Sequence, residues 1–145
     1  MSMELIVILA AAHAPDTSSW NQALSSAKVP ATITYPADLL RHTGFLPVTV
    51  NGNPTGFEFS RSENFSELAA HYPAVAELKV GKPVVYSLIY HGDFQECAAV
   101  FYSASVLVSK FGGVALETQA GVLLNESELI DGAKQCQKMD SDQQK

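Results

Sequence analysis

The sequence lacks every short motif that usually announces catalysis. It contains no glycine-rich phosphate loop, no HExxH, no GxSxG and no paired CxxC. Basic residues are also scarce, because 9 Lys and Arg stand against 15 Asp and Glu, for a formal net charge of -6. Nucleic acids and anionic membranes both require a basic footprint on the protein, so neither is expected as a partner. The acidic balance permits a basic protein partner.

Long apolar runs and internal repeats are missing as well. The apolar run over residues 5–14 ends in Ala-His-Ala and superficially resembles a secretory leader with its cleavage site. A leader needs a positively charged start, whereas residues 1–4 carry only the acidic Glu4. The sequence therefore predicts a buried first strand over residues 4–10 and, by default, cytoplasmic residence.

Cysteine is nearly absent, since only Cys97 and Cys136 occur and both fall in segments with helical periodicity. Their spacing fits neither a metal knuckle nor a disulfide framework, so two buried, reduced thiols are expected. His13, His42 and His71 stand singly, without the spacing of metal ligands. The sequence predicts no metal and no cofactor.

The clearest pattern is a β-α-β packing unit between residues 83 and 124. Residues 84–90 form an apolar strand that can be covered on both faces. Asp93 and Glu96 are typical of a helix start, and apolar residues then recur at steps of three and four as far as Phe111. Gly112 is placed to end that helix in a left-handed conformation, and a hairpin over 114–118 and 121–124 follows.

The remaining segments are assigned from caps, breakers and alternation. The predictions are a helix from Asp16 or Thr17 to Ala27, a strand over 31–35, a helical turn at Leu39 and Leu40, a hairpin joining 46–50 to 56–60 through Asn51-Gly52, a helix from Asn64 that Pro73 kinks or restarts, and a last helix capped by Asn125 and Glu128.

These segments amount to four helices and about seven short strands. We therefore expect an α+β fold, a single-domain sandwich of a mixed, largely antiparallel sheet with helices packed mainly on one face. At 145 residues and 47% hydrophobic content, one domain suffices. The globular domain is expected over residues 1–138, with residues 139–145 as a polar, disordered tail.

The best catalytic candidate is the turn containing His91, Asp93, Glu96 and Cys97. A helix N-terminus favours the thiolate of a first-turn cysteine. Cys97 also lies on the apolar seam with Phe94 and Phe101, which predicts a sulfur buried in the core. An enzymatic or small-molecule-binding domain that uses the His91–Cys97 turn is therefore the alternative function. The aromatic residues of this region pack the core or line a small pocket, namely Tyr86, Tyr90, Phe94, Phe101 and Tyr102.

Protein binding has broader support in the sequence, because acidic and aromatic residues recur at the predicted ends of strands and hairpins. Loops at such positions commonly present recognition groups. The candidate partner-binding residues are Phe57, Glu58, Phe59, Glu63, Tyr90, His91, Asp93 and Glu96.

Residues 103–121, SASVLVSKFGGVALETQAG, resemble bacterial immunity proteins of polymorphic toxin systems, of the contact-dependent or type VI secretion kind. In that family a helix ends at Gly-Gly and passes into a strand and turn of the type Val-x-Leu-Asp-Pro-Gln-x-Gly. Glu117 replaces the usual Asp and Thr118 the common Pro. The resemblance implies a small cytosolic protein without catalytic activity that binds and neutralises a cognate toxin. A subunit that pairs edge strands in a homodimer is a third alternative.

Overall fold

One antiparallel sheet organises residues 2–143, the part of the chain that the computed structural model describes. Its strands are β1 (Ser2–Ala10), β2 (Ala31–Ile33), β3 (Gly44–Val50), β4 (Asn53–Ser62), β5 (Pro83–His91), β6 (Val114–Glu117) and β7 (Val122–Leu124). The helices of the described range are α1 (Thr17–Ser26), α2 (Phe65–His71), α3 (Pro73–Ala76), α4 (Phe94–Ser109) and α5 (Glu126–Gln143), with a 3-10 turn at Ala11–His13.

The strands lie in the order β2-β3-β4-β5-β1-β6-β7. Every neighbouring pair is antiparallel, so the α+β prediction is confirmed and the sheet is not mixed. β1 and β5 form the centre and pair along their whole length, from Ser2 opposite His91 to Ala10 opposite Pro83. β5 and β6 flank β1 and run parallel to each other. The predicted β-α-β unit therefore exists, with β1 inserted between its two strands.

Three helices cover one face of the sheet, which we call the covered face. Its core is built from alternate strand residues and from the apolar faces of α1 and α4, while α5 packs against α4. Trp20 of α1 lies against the rings of Phe59 and Tyr86. The Trp20 Nε1 donates to the Ser103 carbonyl oxygen of α4 at 2.9 Å. Sheet, α1 and α4 are thus fixed to one another by packing and by a buried hydrogen bond.

The opposite face is only partly covered. The short helices α2 and α3 pack on the β1, β5 and β6 end of the sheet, where they bury Ile6, Ile8, Val85 and Leu116. Pro73 begins α3, so it restarts the helix rather than kinking it. Within residues 2–143, no helix covers the rest of this face, which lies on β2, β3 and β4 and the adjoining ends of β5 and β1.

The edges of the sheet are short, with three residues each in β2 and β7. Asn21 of α1 closes the outer side of β2. Its Nδ2 donates to the Ile33 oxygen at 2.8 Å, and its Oδ1 accepts from the Ile33 N–H at 2.7 Å. A side-chain amide thus takes the place of a neighbouring strand, which blocks this edge against pairing with a second chain.

Most predicted boundaries follow from local chemistry. Asp16 accepts from the Ser19 N–H at 2.8 Å and caps α1. Asn51 and Gly52 take positive φ values of 52° and 80°, so the hairpin turns in two residues, more tightly than predicted. Gly112 has the left-handed conformation expected of it, with φ at 70°. Asn125 and Glu128 bond to each other's backbone N–H and begin α5.

Four local predictions differ from the structure. β2 ends at Ile33 instead of residue 35, and the turn at Leu39 and Leu40 is not helical. The Asn64 side chain makes no capping bond to α2. α5 continues to Gln143, so residues 139–143 are helical where a disordered tail is predicted. Gln144 and Lys145, the rest of that tail, lie outside the described residues.

Candidate functional site

The structure brings together Glu58, His91, Asp93 and Glu96 at the end of the central strand β5. The Glu58 Oε2 and His91 Nε2 lie 3.2 Å apart across neighbouring strands. The side chains of both residues are more than half exposed, at 54% and 55%. Water screens such a pair, so it contributes little to stability and stays free to exchange partners.

Asp93 and Glu96 form the N-terminal cap of α4. The Asp93 Oδ1 accepts from the N–H groups of Gln95 at 2.7 Å and of Glu96 at 3.2 Å. The Glu96 Oε1 accepts from the backbone N–H of His91 at 3.0 Å, instead of returning to the cap residue. Both carboxylates lie where the helix dipole favours negative charge. The bond from His91 to Glu96 joins the end of β5 to the start of α4 and fixes the position of the His91 backbone.

Tyr90 points to the covered side and is half-buried. Its ring lies 6.2 Å from that of Phe101. Burial raises the pKa of the Tyr90 phenol, and the nearby Glu117 carboxylate adds to that increase. Tyr90 therefore packs on the covered face, behind the exposed cluster of Glu58, His91, Asp93 and Glu96. Its hydroxyl is neutral at physiological pH.

Two candidate contacts, Phe57 and Phe59, are not surface residues. Each is 1% exposed and belongs to the core of the covered face. The reason is the alternation of β4, which turns Phe57 and Phe59 inward and Glu58 outward. Glu63 is exposed but follows the far end of β4, where Ser62 pairs with Val85, and so lies apart from the His91 cluster.

Cys97 and Cys136 are joined in a disulfide between α4 and α5, so the expectation of two reduced thiols is wrong. Their Cα atoms are 5.9 Å apart, within the usual range for disulfides. The burial of Cys97 is as expected, because only 6% of it is exposed. A sulfur bonded in this way holds no thiolate, which removes the nucleophile from the His91–Cys97 turn as long as the bond is intact.

Glu58 and His91 also belong to a larger exposed surface, the open face, which the sequence analysis did not predict. We use the name for the outward positions of the uncovered strands, which are Thr32, Phe45, Pro47, Thr49, Glu58, Ser60, Ile89, His91 and Glu4. The pairing register places Phe45, Glu58, Ile89 and Glu4 in one row across four strands. Phe45 is 52% exposed, and its ring lies over Gly56, which has no side chain.

The charge on the open face has one sign. Glu4 and Glu58 are its carboxylates, and the Ser87 hydroxyl donates to the Glu4 Oε2. Arg61 is the single Lys or Arg in the seven described strands, and it lies on the same side of β4 as Phe57 and Phe59. The open face therefore has anionic groups and an exposed ring with no cation of its own. Strict alternation along β3 and β4 is the sequence signal that could have found it.

The described residues contain no group of three His, Cys, Asp or Glu side chains arranged to hold a metal ion. Across residues 2–143, no helix combines the length and the apolar character that crossing a membrane requires. The chain matches no protein-family model, no curated protein and no solved structure.

Proposed function

We propose that this chain is an immunity-type inhibitor, a protein without catalytic activity that binds a cognate bacterial toxin and occludes its active site or an adjacent surface. One observation carries the proposal: the open face bears Glu4, Glu58 and an exposed aromatic ring but no lysine or arginine, and the cap of α4 at the end of β5 adds Asp93 and Glu96. The resemblance of residues 103–121 to immunity proteins points to the same class.

The chemistry of this surface suits a basic partner. Toxins that act on nucleic acids are commonly basic, because their substrate is anionic. Glu4, Glu58, Asp93 and Glu96 would attract such a partner and raise the rate of encounter. Phe45 is the aromatic group able to anchor the contact once it forms. Its exposure leaves it free for this role.

The alternative, an enzyme that uses the His91–Cys97 turn, has weaker support. His91 and Glu58 remain as an exposed acid and base, but the sulfur of Cys97 is already bonded to Cys136. Catalysis by that thiol would require the disulfide to be reduced first. A homodimer through strand edges is also weakened, because Asn21 occupies the outer edge of β2.

The disulfide bears on where the protein acts. Disulfides form and persist in oxidising compartments and are rare in the cytosol. Cytoplasmic residence therefore stays a prediction, and the disulfide weighs against it. An inhibitor that meets its toxin in an oxidising compartment, such as a bacterial periplasm, fits the pairing of Cys97 with Cys136 better.

The test is protection of cells that produce the secreted effector encoded beside this gene. Co-production of the wild-type chain is expected to restore growth, and the purified pair to bind with submicromolar affinity. Glu58→Gln should slow association and lessen its salt dependence, because it removes one anionic group from the surface. Asp131→Asn is the matched control, since Asp131 is an exposed carboxylate on α5. Growth arrest despite abundant wild-type chain, without binding, would contradict the proposal.

A further inference from the structure

A cleft lies on the covered face of the sheet, at the end away from His91. It has a volume of about 310 Å³ and a polar lining that consists of Asp16, Asp38, Arg61 and Tyr86, and we call it the Arg61 cleft. We propose that the Arg61 cleft binds a small zwitterion, an α-amino acid with an apolar side chain. This site is separate from the open face and does not depend on the proposed inhibitor function.

Three parts of the chain meet to form the cleft. Arg61 of β4 pairs with Tyr86 of β5, so their side chains stand together on the covered side. Asp16 precedes α1, and the carbonyl of its neighbour Pro15 accepts from the Tyr86 hydroxyl at 3.3 Å. Asp38 belongs to the segment that joins β2 to β3, and its Oδ1 accepts from the Leu40 N–H at 3.1 Å. Each polar group is therefore held by backbone bonds or by its strand.

Arg61 is the group that points to an anionic ligand. Arg61 is partly buried, yet within residues 2–143 its side chain makes no hydrogen bond or ion pair. Partial burial of a charge without a partner costs free energy that a bound counter-charge would recover. The planar fork of a guanidinium matches a carboxylate with two parallel hydrogen bonds. A ligand carboxylate in the cleft would supply the missing partner.

The cleft also carries two exposed carboxylates, and because the Asp38 Oδ2 already lies 4.0 Å from the Arg41 Nε, Asp16 is the group left for a cation on the same ligand. The Asp16 carboxylate is exposed, and its Oδ1 accepts from Ser19, so its Oδ2 is accessible to an ammonium group. The Tyr86 hydroxyl gives its proton to Pro15, so its oxygen can still accept. Burial raises the pKa of Tyr86 to about 12, which keeps the phenol neutral in this site. An ammonium group beside a carboxylate would satisfy both charges at once.

Apolar residues complete the cleft and restrict the ligand's side chain. Ala37 and Leu39 are buried beside the polar groups, while Leu40 is 70% exposed at the mouth. An aliphatic side chain of the ligand would pack against these residues and remove Leu40 from water. The volume of about 310 Å³ suits a molecule of amino-acid size. L-Leucine has the charges and the side chain that this lining requires.

The test is calorimetric titration of the full chain with L-leucine and with two analogues, each lacking one charge. Leucinamide has no carboxylate, and 4-methylpentanoate has no ammonium group. We expect saturable binding of L-leucine and at least about tenfold weaker binding of either analogue. Arg61→Met should weaken L-leucine binding by a similar factor. Lys138→Met is the control, because Lys138 is an exposed cation on α5 that does not line the cleft.

Two results would overturn the proposal. The first is the absence of saturable binding by L-leucine, L-valine, L-methionine and L-phenylalanine up to about 10 mM. The second is L-leucine binding that Arg61→Met leaves unchanged, or that either analogue matches. Because the analogues are tested on the unaltered chain, the outcome does not depend on how well a variant folds. Toxin binding at the open face is measured separately and is expected to be the same with and without L-leucine.

Discussion

The two faces of the sheet differ in what covers them, and the difference separates stability from recognition. On the covered face, α1 and α4 pack on the strands and α5 packs on α4, so that Val7, Leu9 and Leu88 are each completely buried. On the opposite face, two short helices cover one end and the open face is left to solvent. Antiparallel sheets tolerate one wet face, because their strands alternate between apolar and polar residues.

A matched pair of leucines measures this difference most directly. Leu88 and Leu116 are both 0% exposed, but Leu88 belongs to the covered face and Leu116 to the cluster under α2 and α3. Leu88→Ala is expected to lower the free energy of unfolding by about 4 kcal/mol, and Leu116→Ala by about 2 kcal/mol. The short helices can move into the space that a smaller side chain leaves, whereas α4 is fixed by its neighbours.

Urea denaturation followed by circular dichroism gives both values under one set of conditions. Equal losses for the two variants would mean that the second face is as rigid as the first. In that case the two faces would contribute equally to stability, and the open face would differ only in its exposure to solvent.

The disulfide is the next largest contribution, and it belongs entirely to the helical layers over the covered face. Cys97 and Cys136 are 39 residues apart in sequence, and closing a loop of that length stabilises a fold by up to about 4 kcal/mol. We expect the double variant Cys97→Ala/Cys136→Ala to lose that amount. We also expect no free thiol in the denatured, unreduced protein, and two after reduction. Two free thiols before reduction would contradict the pairing.

Tyr86 adds a pH-dependent contribution on the same face. Burial raises its pKa from the ordinary value of 10.0 to about 12. The neutral phenol is therefore favoured in the folded state, and the stability it supplies is complete below pH 10 and lost as the pH rises towards 12. The loss is expected to be roughly 2 kcal/mol.

Denaturation curves recorded at increasing pH test this linkage. Tyr86→Phe should lose less stability than the wild-type chain across that alkaline range, because phenylalanine does not ionise. Tyr35→Phe, at an exposed tyrosine, should behave like the wild-type chain. Parallel curves for Tyr86→Phe and the wild-type chain would show that Tyr86 is not the residue responsible.

Features set by neighbours in sequence were predictable here. The caps at Asp16 and Asp93, the turn at Asn51-Gly52 and the helix end at Gly112 each depend on bonds or φ values within a few residues. The inward position of Phe57 could also be predicted, because Glu58 and Ser60 alternate with Phe57 and Phe59 along one strand. These residues lie inside β4, where alternation applies, and not in a loop at its end.

Features set by contacts distant in sequence were not predictable. Pairing Cys97 with Cys136 requires the relative position of α4 and α5, which no spacing rule supplies. The closure of the β2 edge by Asn21 depends on where α1 lies beside the sheet. The Arg61 cleft joins three segments, and Arg61 stands alone in the sequence without a motif around it. Each of these features appears only when the strand order is known.

The smallest change in stability is expected at Phe45, on the open face. Phe45→Ser should lower the free energy of unfolding by less than about 1 kcal/mol, because the ring is 52% exposed and only shields Gly56. The same substitution should weaken binding of the cognate toxin more than tenfold, as loss of a central aromatic anchor does. Leu40→Ser, which alters a more exposed apolar residue away from the open face, is the control and should leave that affinity unchanged. A large loss of stability at Phe45 together with unaltered toxin binding would assign the ring to the fold, and the two faces would no longer divide stability from recognition.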